Sequence, residues 1–498
     1  MFESAEIGHS VADEVYKENV PTLREALLAA QFDFTTAKKF PVIVIVGGVD
    51  GAGKGETVNL LSEWMDARHI QTRALGEPTT EELDRPTMWR FWRQLPPKGK
   101  IGVFFGAWHT QPILRRAYGE IGNAELDHAC DEIVRFERML AAEGALILKF
   151  WFHLSKKRQK KRLKSLAKDK KTRWRVTKTD WKHFELYDTF REVSERALRR
   201  TSTAEAPWVV VEGTDPNYRY LTVGQAILDA LKRRLATLDA PKVTPPVIAA
   251  EPVAAPAVDG NHLLRSLDLN KSLSPEEYDE RLTAAERKLS LLSRHKRFRK
   301  HSVIAAFEGS DAAGKGGAIR RLAATLDARQ YSIVPIAAPT EEERAQPYLW
   351  RFWRHIPGKG RFTIYDRSWY GRVLVERVEG FCGEADWRRA YEEINDFEEQ
   401  LVRNGAVVSK FWLQIDKETQ LARFQEREQT GFKHYKITAE DWRNRDKWDA
   451  YEVAVGEMVD RTSTEIAPWT LVEANDKHYA RVKVLETLAD RLEAALDR

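Results

Sequence analysis

Two cysteines, Cys130 and Cys382, are too few to staple a chain of 498 residues. They fall at unrelated positions, so a disulfide framework and a shared cysteine-bound metal are both excluded as organising features. Cysteine this scarce and unclustered fits a reducing cytoplasm. No run of 18 apolar residues occurs, which argues against a membrane-spanning helix. The opening stretch MFESAEIGHS has no basic segment leading into an apolar one, so no secretory signal is expected. Charge of one sign is also missing. Lys and Arg number 80 against 75 Asp and Glu, and the net of +5 says little about partners. The twelve histidines include no HExxH and no Cys/His ligand spacing, so no zinc site is expected. With 43% hydrophobic residues, the composition is that of a globular protein large enough for two domains.

What the chain does have is a repeat. GGVDGAGKGETV at 47–58 returns as EGSDAAGKGGAI at 308–319, 261 residues on. EPTTEE/APTEEE, WRFWR, KFW, Asp180-Trp181/Asp441-Trp442, RTST and APW all recur at the same offset. An unbroken offset over this length indicates a duplicated whole domain rather than a solenoid. The expected division is residues 1–239, a Pro/Ala-rich linker at 240–260, and 261–498. Ser274 before Pro275 predicts a capped helix leading into the second copy. Apolar runs predict strands at 42–46, 72–76, 101–105, 145–151 and 208–212, and again at 303–307, 332–336, 362–365, 406–412 and 469–473. Their alternation with helical patterns predicts, in each copy, an α/β fold with a parallel sheet of about five strands flanked by helices and covered by a helical lid.

Each first strand runs into a glycine loop of G-x4-G-K spacing, Gly48 to Lys54 and Gly309 to Lys315. Between a strand and a helix, this is the context of a phosphate loop. Backbone N–H groups turn inward, as Gly309 and Gly314 allow, and the lysine adds a cation. The usual Ser or Thr after the lysine is absent; Gly55 and Gly316 stand there. Asp50 and Asp311 inside the loops would repel phosphate unless a cation lies between. Asp311 is therefore read as a metal or phosphoryl-transfer residue, with capping of its own turn as the alternative.

YDRSWY at 365–370 faces FFGAWH at 104–109, so Asp366 and Arg367 are replaced by Phe105 and Gly106. A carboxylate at the end of that strand suits Mg²⁺, and an arginine beside it suits phosphate oxygens. Arg372, Glu376 and Arg427 likewise become Gln111, Arg115 and Leu166. The second copy is expected to carry the chemistry, and the first, with Asp50 and Lys54 retained, to be degenerate. The lid of the first copy, SKKRQKKRLKSLAKDKKTRWRVTK, is densely basic, as a surface for a polyanion would be. Both nucleic acid and inorganic polyphosphate have that character. The aromatics of WRFWR are expected in the core.

GSDAAGKGG at 309–317, YDRSWYGR at 365–372 and a basic lid after KFWL resemble the polyphosphate kinase 2 family across both repeats. The resemblance implies P-loop kinase-like domains that move phosphate between polyphosphate and nucleotides with Mg²⁺. The tandem form implies transfer of the terminal phosphate of polyphosphate to AMP to give ADP, reversible in principle. By motif, Asp311, Lys315, Asp366 and Arg367 would be catalytic, with Asp311 and Asp366 on the metal. Gly309, Gly314, Gly316, Arg372, Glu376 and Arg427 would bind phosphate or nucleotide. The resemblance does not favour nucleic acid as a partner and leaves homo-oligomerisation open. Two other readings share these residues. One is an ATP-dependent nucleotide or small-molecule kinase; the other is a polyanion-binding ATPase or scaffold.

Overall fold

The structure, a computed structural model, describes residues 1–239, 260–429 and 439–497. Almost all of the linker expected at 240–260, and residues 430–438 of the second lid, lie outside the described residues. These form two compact units. The first holds Met1–Pro78, residues 90–239 and Thr340–Trp350; the second holds Thr79–Trp89, residues 260–339 and 351–497.

Five strands build the sheet of the first unit: β1 (Val42–Gly48), β2 (Ile70–Ala74), β3 (Ile101–Phe105), β4 (Leu146–His153) and β5 (Trp208–Glu212). The second unit has β6 (Ser302–Gly309), β7 (Tyr331–Pro335), β8 (Phe362–Asp366), β9 (Ala406–Gln414) and β10 (Trp469–Glu473). The orders β2-β3-β1-β4-β5 and β7-β8-β6-β9-β10 are the same, and the pairings are parallel. All ten expected strands are present. β2 begins two residues earlier than expected, because Ile70 pairs with Ile101 at the start of the neighbouring strand.

The central strands β1 and β6 are covered by helices on both faces, so they read as continuous apolar runs rather than alternating ones. Val42 to Val46 and Val303 to Phe307 are all buried. Around each lies an aliphatic and aromatic core closed by helices, Asp13–Ala37 and Pro216–Asp239 in the first unit and Pro275–Arg294 and Lys477–Asp497 in the second. The helix Pro275–Arg294 starts with Ser274 and Glu277 in a reciprocal capping box, as its sequence predicts. The WRFWR aromatics pack inward. Trp92 lies against Phe136, and Trp353 against Phe397.

Strand order sets the location of the site. Chain connections leave in opposite directions on the two sides of β6, which opens a crevice at its C-terminal end, where α/β sheets bind ligands. The Gly309–Lys315 loop starts at that end, and Asp366 closes the adjacent strand β8. None of the described helices is long and apolar enough to cross a membrane.

Candidate active site

In the second unit the loop after β6 is shaped by unusual backbone. Gly309 (φ 149°), Ala312 (63°) and Gly314 (106°) hold positive φ, and Gly314 caps the helix Lys315–Thr325. Lys315 curls over the loop and donates to the carbonyls of Gly309 (2.6 Å) and Ser310 (3.3 Å). Burial pushes its ammonium pKa down, while the nearby Asp311 and Asp366 carboxylates push it up. Both expected carboxylates therefore act electrostatically on the loop lysine.

Asp311 does not cap its own turn. One oxygen accepts from Arg367 Nη2 at 3.3 Å, and the other from Asn444 Nδ2 at 2.8 Å. Arg367, one residue past β8, adopts φ 62°. A non-glycine residue in this left-handed region is strained by roughly 1–3 kcal/mol and persists only where its surroundings fix it. Here hydrogen bonds on both sides of the turn fix it. The Arg367 N–H bonds to the carbonyl of Phe307, and the next residue, Ser368, donates through N–H and hydroxyl to buried Glu308 at 2.7 and 2.8 Å. Burial raises the Glu308 carboxyl pKa, and the Ser368 bonds work against that rise. Arg372 and Glu376 form an ion pair at 2.8 Å on the short helical turns that follow.

The lid reaches the loop from the other side. On the helix Lys417–Gln429, Gln420 donates to the Asp311 carbonyl (3.1 Å) and Arg423 to the Ala312 carbonyl (2.9 Å). Arg427 lies one turn further on, close enough to Arg423 to depress its pKa, although burial does more. On Ala439–Asp446, Asn444 holds Asp311 while Arg443 pairs with Glu379 at 3.1 Å.

Behind the site is a buried ion pair. Lys410, from the KFW motif, bonds Glu398 at 2.8 Å, and Glu398 also accepts from Trp369 Nε1 (3.0 Å) and Tyr370 Oη (2.6 Å). This anchors the YDRSWY turn whose first residues are Asp366 and Arg367. Sequence reasoning did not single out Glu308, Ser368, Glu398, Lys410, Gln420, Arg423 or Asn444. Three of them had a readable signal: Glu308, Ser368 and Asn444 are Gly47, Ala107 and His183 in the first repeat.

Among the described residues no cluster of three or more His, Cys, Asp or Glu gathers as a metal cage. Asp311 lies in the phosphate loop and Asp366 ends the adjacent strand β8, and Mg²⁺ characteristically takes one or two carboxylates and completes its shell with phosphate oxygens and water.

The first unit keeps the loop but not the Asp366–Arg367 pair. Lys54 donates to the carbonyls of Gly48 (2.6 Å) and Val49 (2.9 Å), and Asp50 lies 2.7 Å from His183 Nδ1. Phe105 and Gly106 occupy the positions of Asp366 and Arg367. Gly106 has φ 67°, and a Cβ there would come within 2.1 Å of the Leu75 carbonyl oxygen. An arginine could not simply be restored at that position. Glu56, where the second unit has Gly317, gathers Arg162 (3.2 Å), Arg175 (3.1 Å) and Arg219 (2.9 Å). An internal carboxylate thus takes up arginines next to the loop.

The family profile described as Polyphosphate kinase 2 (PPK2) matches residues 10–238 and 272–498. The chain is 61% identical over 498 residues to the polyphosphate:AMP phosphotransferase of Pseudomonas aeruginosa, covering 99% of each chain. It is 58% identical to that of Pseudomonas syringae pv. tomato, covering 100% of this chain and 99% of the relative. With the same name in Acinetobacter johnsonii it shares 38%, over 92% of each chain. A crystal structure described as polyphosphate kinase 2 from Pseudomonas aeruginosa superposes with a TM-score of 0.91, at 59% identity and full coverage of both chains.

Proposed function

This chain belongs to the polyphosphate kinase 2 family, and from that premise we propose that it transfers the terminal phosphate of inorganic polyphosphate to AMP, giving ADP. The observation that carries the reading is the set Asp311, Lys315, Asp366 and Arg367 gathered at the C-terminal end of the central strand of one unit, with Asp366 and Arg367 replaced in the other. The relatives that match over the full chain bear the name of this reaction.

Residues 261–498 are the catalytic half and residues 1–239 the degenerate one. Inward-facing N–H groups of the Gly309–Gly316 loop and the Lys315 ammonium hold the donor phosphate. Arg367 sits where charge spreads over the equatorial oxygens of the moving phosphoryl group, and Arg372 and Arg427 extend the cationic surface. Glu376 orients Arg372 through their ion pair. Asp311 and Asp366 are the groups that would hold Mg²⁺, which when bound neutralises phosphate charge. The acceptor is a phosphate oxygen of AMP, already a good nucleophile at neutral pH. The carboxylates therefore position the reactants, and no covalent enzyme intermediate is needed. A cytoplasmic setting for the reaction is supported by both cysteines being free.

The test is transfer by the purified chain with Mg²⁺, AMP, and either long polyphosphate or ATP as donor. ADP should form from polyphosphate, and Asp366→Asn should lower kcat by at least about a thousandfold, as loss of preorganised charge at a phosphoryl-transfer site does. Lys54→Ala should have a modest effect. Transfer from ATP alone would make the chain an ordinary nucleotide kinase. Equal losses in the two variants would remove the assignment of catalysis to the second unit.

A further inference from the structure

The second unit has another opening, at the end of its sheet that the reaction does not use. A cavity of about 500 Å³ lies among the turns that lead into β6, β7 and β8. The strands run away from it, and β6, 8 residues long, spans the distance to the Gly309–Lys315 loop. At about 3.3 Å per residue the two places are roughly 25 Å apart. The cavity is therefore separate from the active site.

Its lining is cationic. Arg294, Arg299, Arg329, Lys359 and Arg361 face it, and among the described residues no acidic side chain lines it. The carboxylate beside it, Asp327, is paired with Arg329 at 2.8 Å and is also acted on by Arg294. Arg361 donates to a neutral partner, the Arg329 carbonyl, at 3.1 Å. The side chains of Arg299 and Lys359 have no hydrogen-bond or ion-pair partner among the described residues. Five cations thus answer to one carboxylate.

The frame that carries them is tied together. The Gly360 N–H bonds to the His301 carbonyl at 2.6 Å, and the Phe362 N–H to the Gln330 carbonyl at 2.8 Å. Backbone movement cannot spread the charges apart, so they repel one another, and an anion that enters relieves the repulsion. In the first unit the same five positions are Asp33, Lys38, Arg68, Lys98 and Lys100, with an acid in place of one cation. The denser charge belongs to the unit that carries Asp366 and Arg367.

The lining also narrows the choice of anion. Guanidinium and ammonium groups suit phosphate oxygens. Phe298 is buried against Phe362, so it offers no open face on which a nucleobase could stack. His295 is turned to its own segment, where it accepts from the Arg297 N–H at 3.3 Å. Cations spread over three turns match several phosphates in succession better than a single one.

We propose that this cavity is a second, non-transferring site for inorganic polyphosphate, which holds a stretch of the phosphate chain away from the loop where transfer occurs. The inference rests on the proposed function for the identity of the polyanion, and on the cavity itself for the location.

Lys359 is the reporter for the test. The full-length chain is treated with acetic anhydride without AMP, so that no phosphate is transferred, and acetylation is followed by mass spectrometry. Long polyphosphate should slow the reaction of Lys359 saturably. Lys17, exposed near Asp13, Glu14 and Glu18 on the helix Asp13–Ala37, should react unchanged. In the double variant Arg299→Gln/Arg361→Gln the protection should need about tenfold more polyphosphate, and its log–log salt slope should fall by about one for each cation removed. Single-stranded DNA, whose bases find no platform here, should protect about tenfold more weakly per phosphate. An unprotected Lys359 in the wild type overturns the inference. So does unaltered protection in the folded double variant, or equal protection by orthophosphate or by DNA. ADP formed from polyphosphate with Lys359 unprotected removes this site and leaves the proposed function standing. Protection of Lys359 in a chain that forms no ADP from polyphosphate does the reverse.

Discussion

Asn444 donates to the Asp311 carboxylate at 2.8 Å, tying a lid helix to the phosphate loop, and 261 residues earlier His183 stands 2.7 Å from Asp50 in the same relation. With Arg367 on the other oxygen, the contact orders an acidic side chain in a phosphate cradle. Its partner in the second unit is a neutral amide, which holds Asp311 without competing for a cation. A hydrogen bond to a charged group contributes about 1.5–3 kcal/mol. Asn444→Ala should therefore lower kcat/KM about ten- to a hundredfold, and less than Asp311→Asn does. Steady-state kinetics on both variants at saturating Mg²⁺ checks the order.

Asp50 gives a pH prediction. Burial alone would raise its carboxyl pKa, but Lys54 and His183 outweigh that and bring it down to about 2. A carboxylate whose folded pKa lies below its unfolded value of about 3.9 stabilises the fold above that pH. The contribution shrinks as pH falls toward 2. At pH 7 Asp50→Asn should cost on the order of 2 kcal/mol. At pH 3 the difference from wild type should be roughly half as large. Urea melts of both proteins at the two pH values would show it; a gap that stays constant with pH would contradict the assigned pairing.

The pair Lys410–Glu398, with its counterpart Lys149–Glu137 at 2.6 Å, is fully buried in each unit. Removing one partner leaves an uncompensated charge in the core, worth about 3–5 kcal/mol. Lys410→Met should lose that much stability in urea unfolding. Because Glu398 also holds Trp369 and Tyr370, the loss should carry into the Asp366–Arg367 turn. Activity measured at low temperature, where the variant is folded, should fall as well. The Lys149→Met variant should show the stability loss with a smaller effect on activity, since its turn carries Phe105 and Gly106.

These predictions draw on both what the sequence made legible and what it did not. The strands could be read because a buried parallel strand is a short apolar run. The acidic and basic pair at 366 and 367 could be read because a duplicated chain shows what was lost at 105 and 106. Glu308 and Ser368 were open to the same subtraction. So was Asn444, which is His183 in the first repeat, but Gln420 and Arg423 were not: both copies carry them, and their roles arise from a lid folding back over a loop more than a hundred residues away in sequence. Gly106 could be named as a lost arginine, but not as one that the Leu75 carbonyl now keeps out. The basic cavity of the second unit is equally invisible in sequence, since its cations come from three separate turns.

The basic segment of the first unit divides once its contacts are known. Lys156 pairs with Asp188, Arg158 with Glu212, and Arg162 with Glu56, so part of its charge is neutralised within the unit. Lys157, Lys160, Lys161 and Lys164 are exposed along the helix Lys156–Lys168. A long polyanion touches many such charges and releases counterions with each, whereas a short one touches few. If this face holds the chain of polyphosphate, changing Lys157, Lys160 and Lys161 together to Gln should raise KM for long polyphosphate several-fold. The salt dependence of that KM should flatten, with little change in kcat. KM for short chains should move less, and Lys156→Gln alone should have almost no effect. Kinetics with two polyphosphate lengths at two salt concentrations separate these outcomes. An equal rise in KM for both lengths would mean that the lysines act on the fold or on AMP, and the polyphosphate-holding role of this face would be lost.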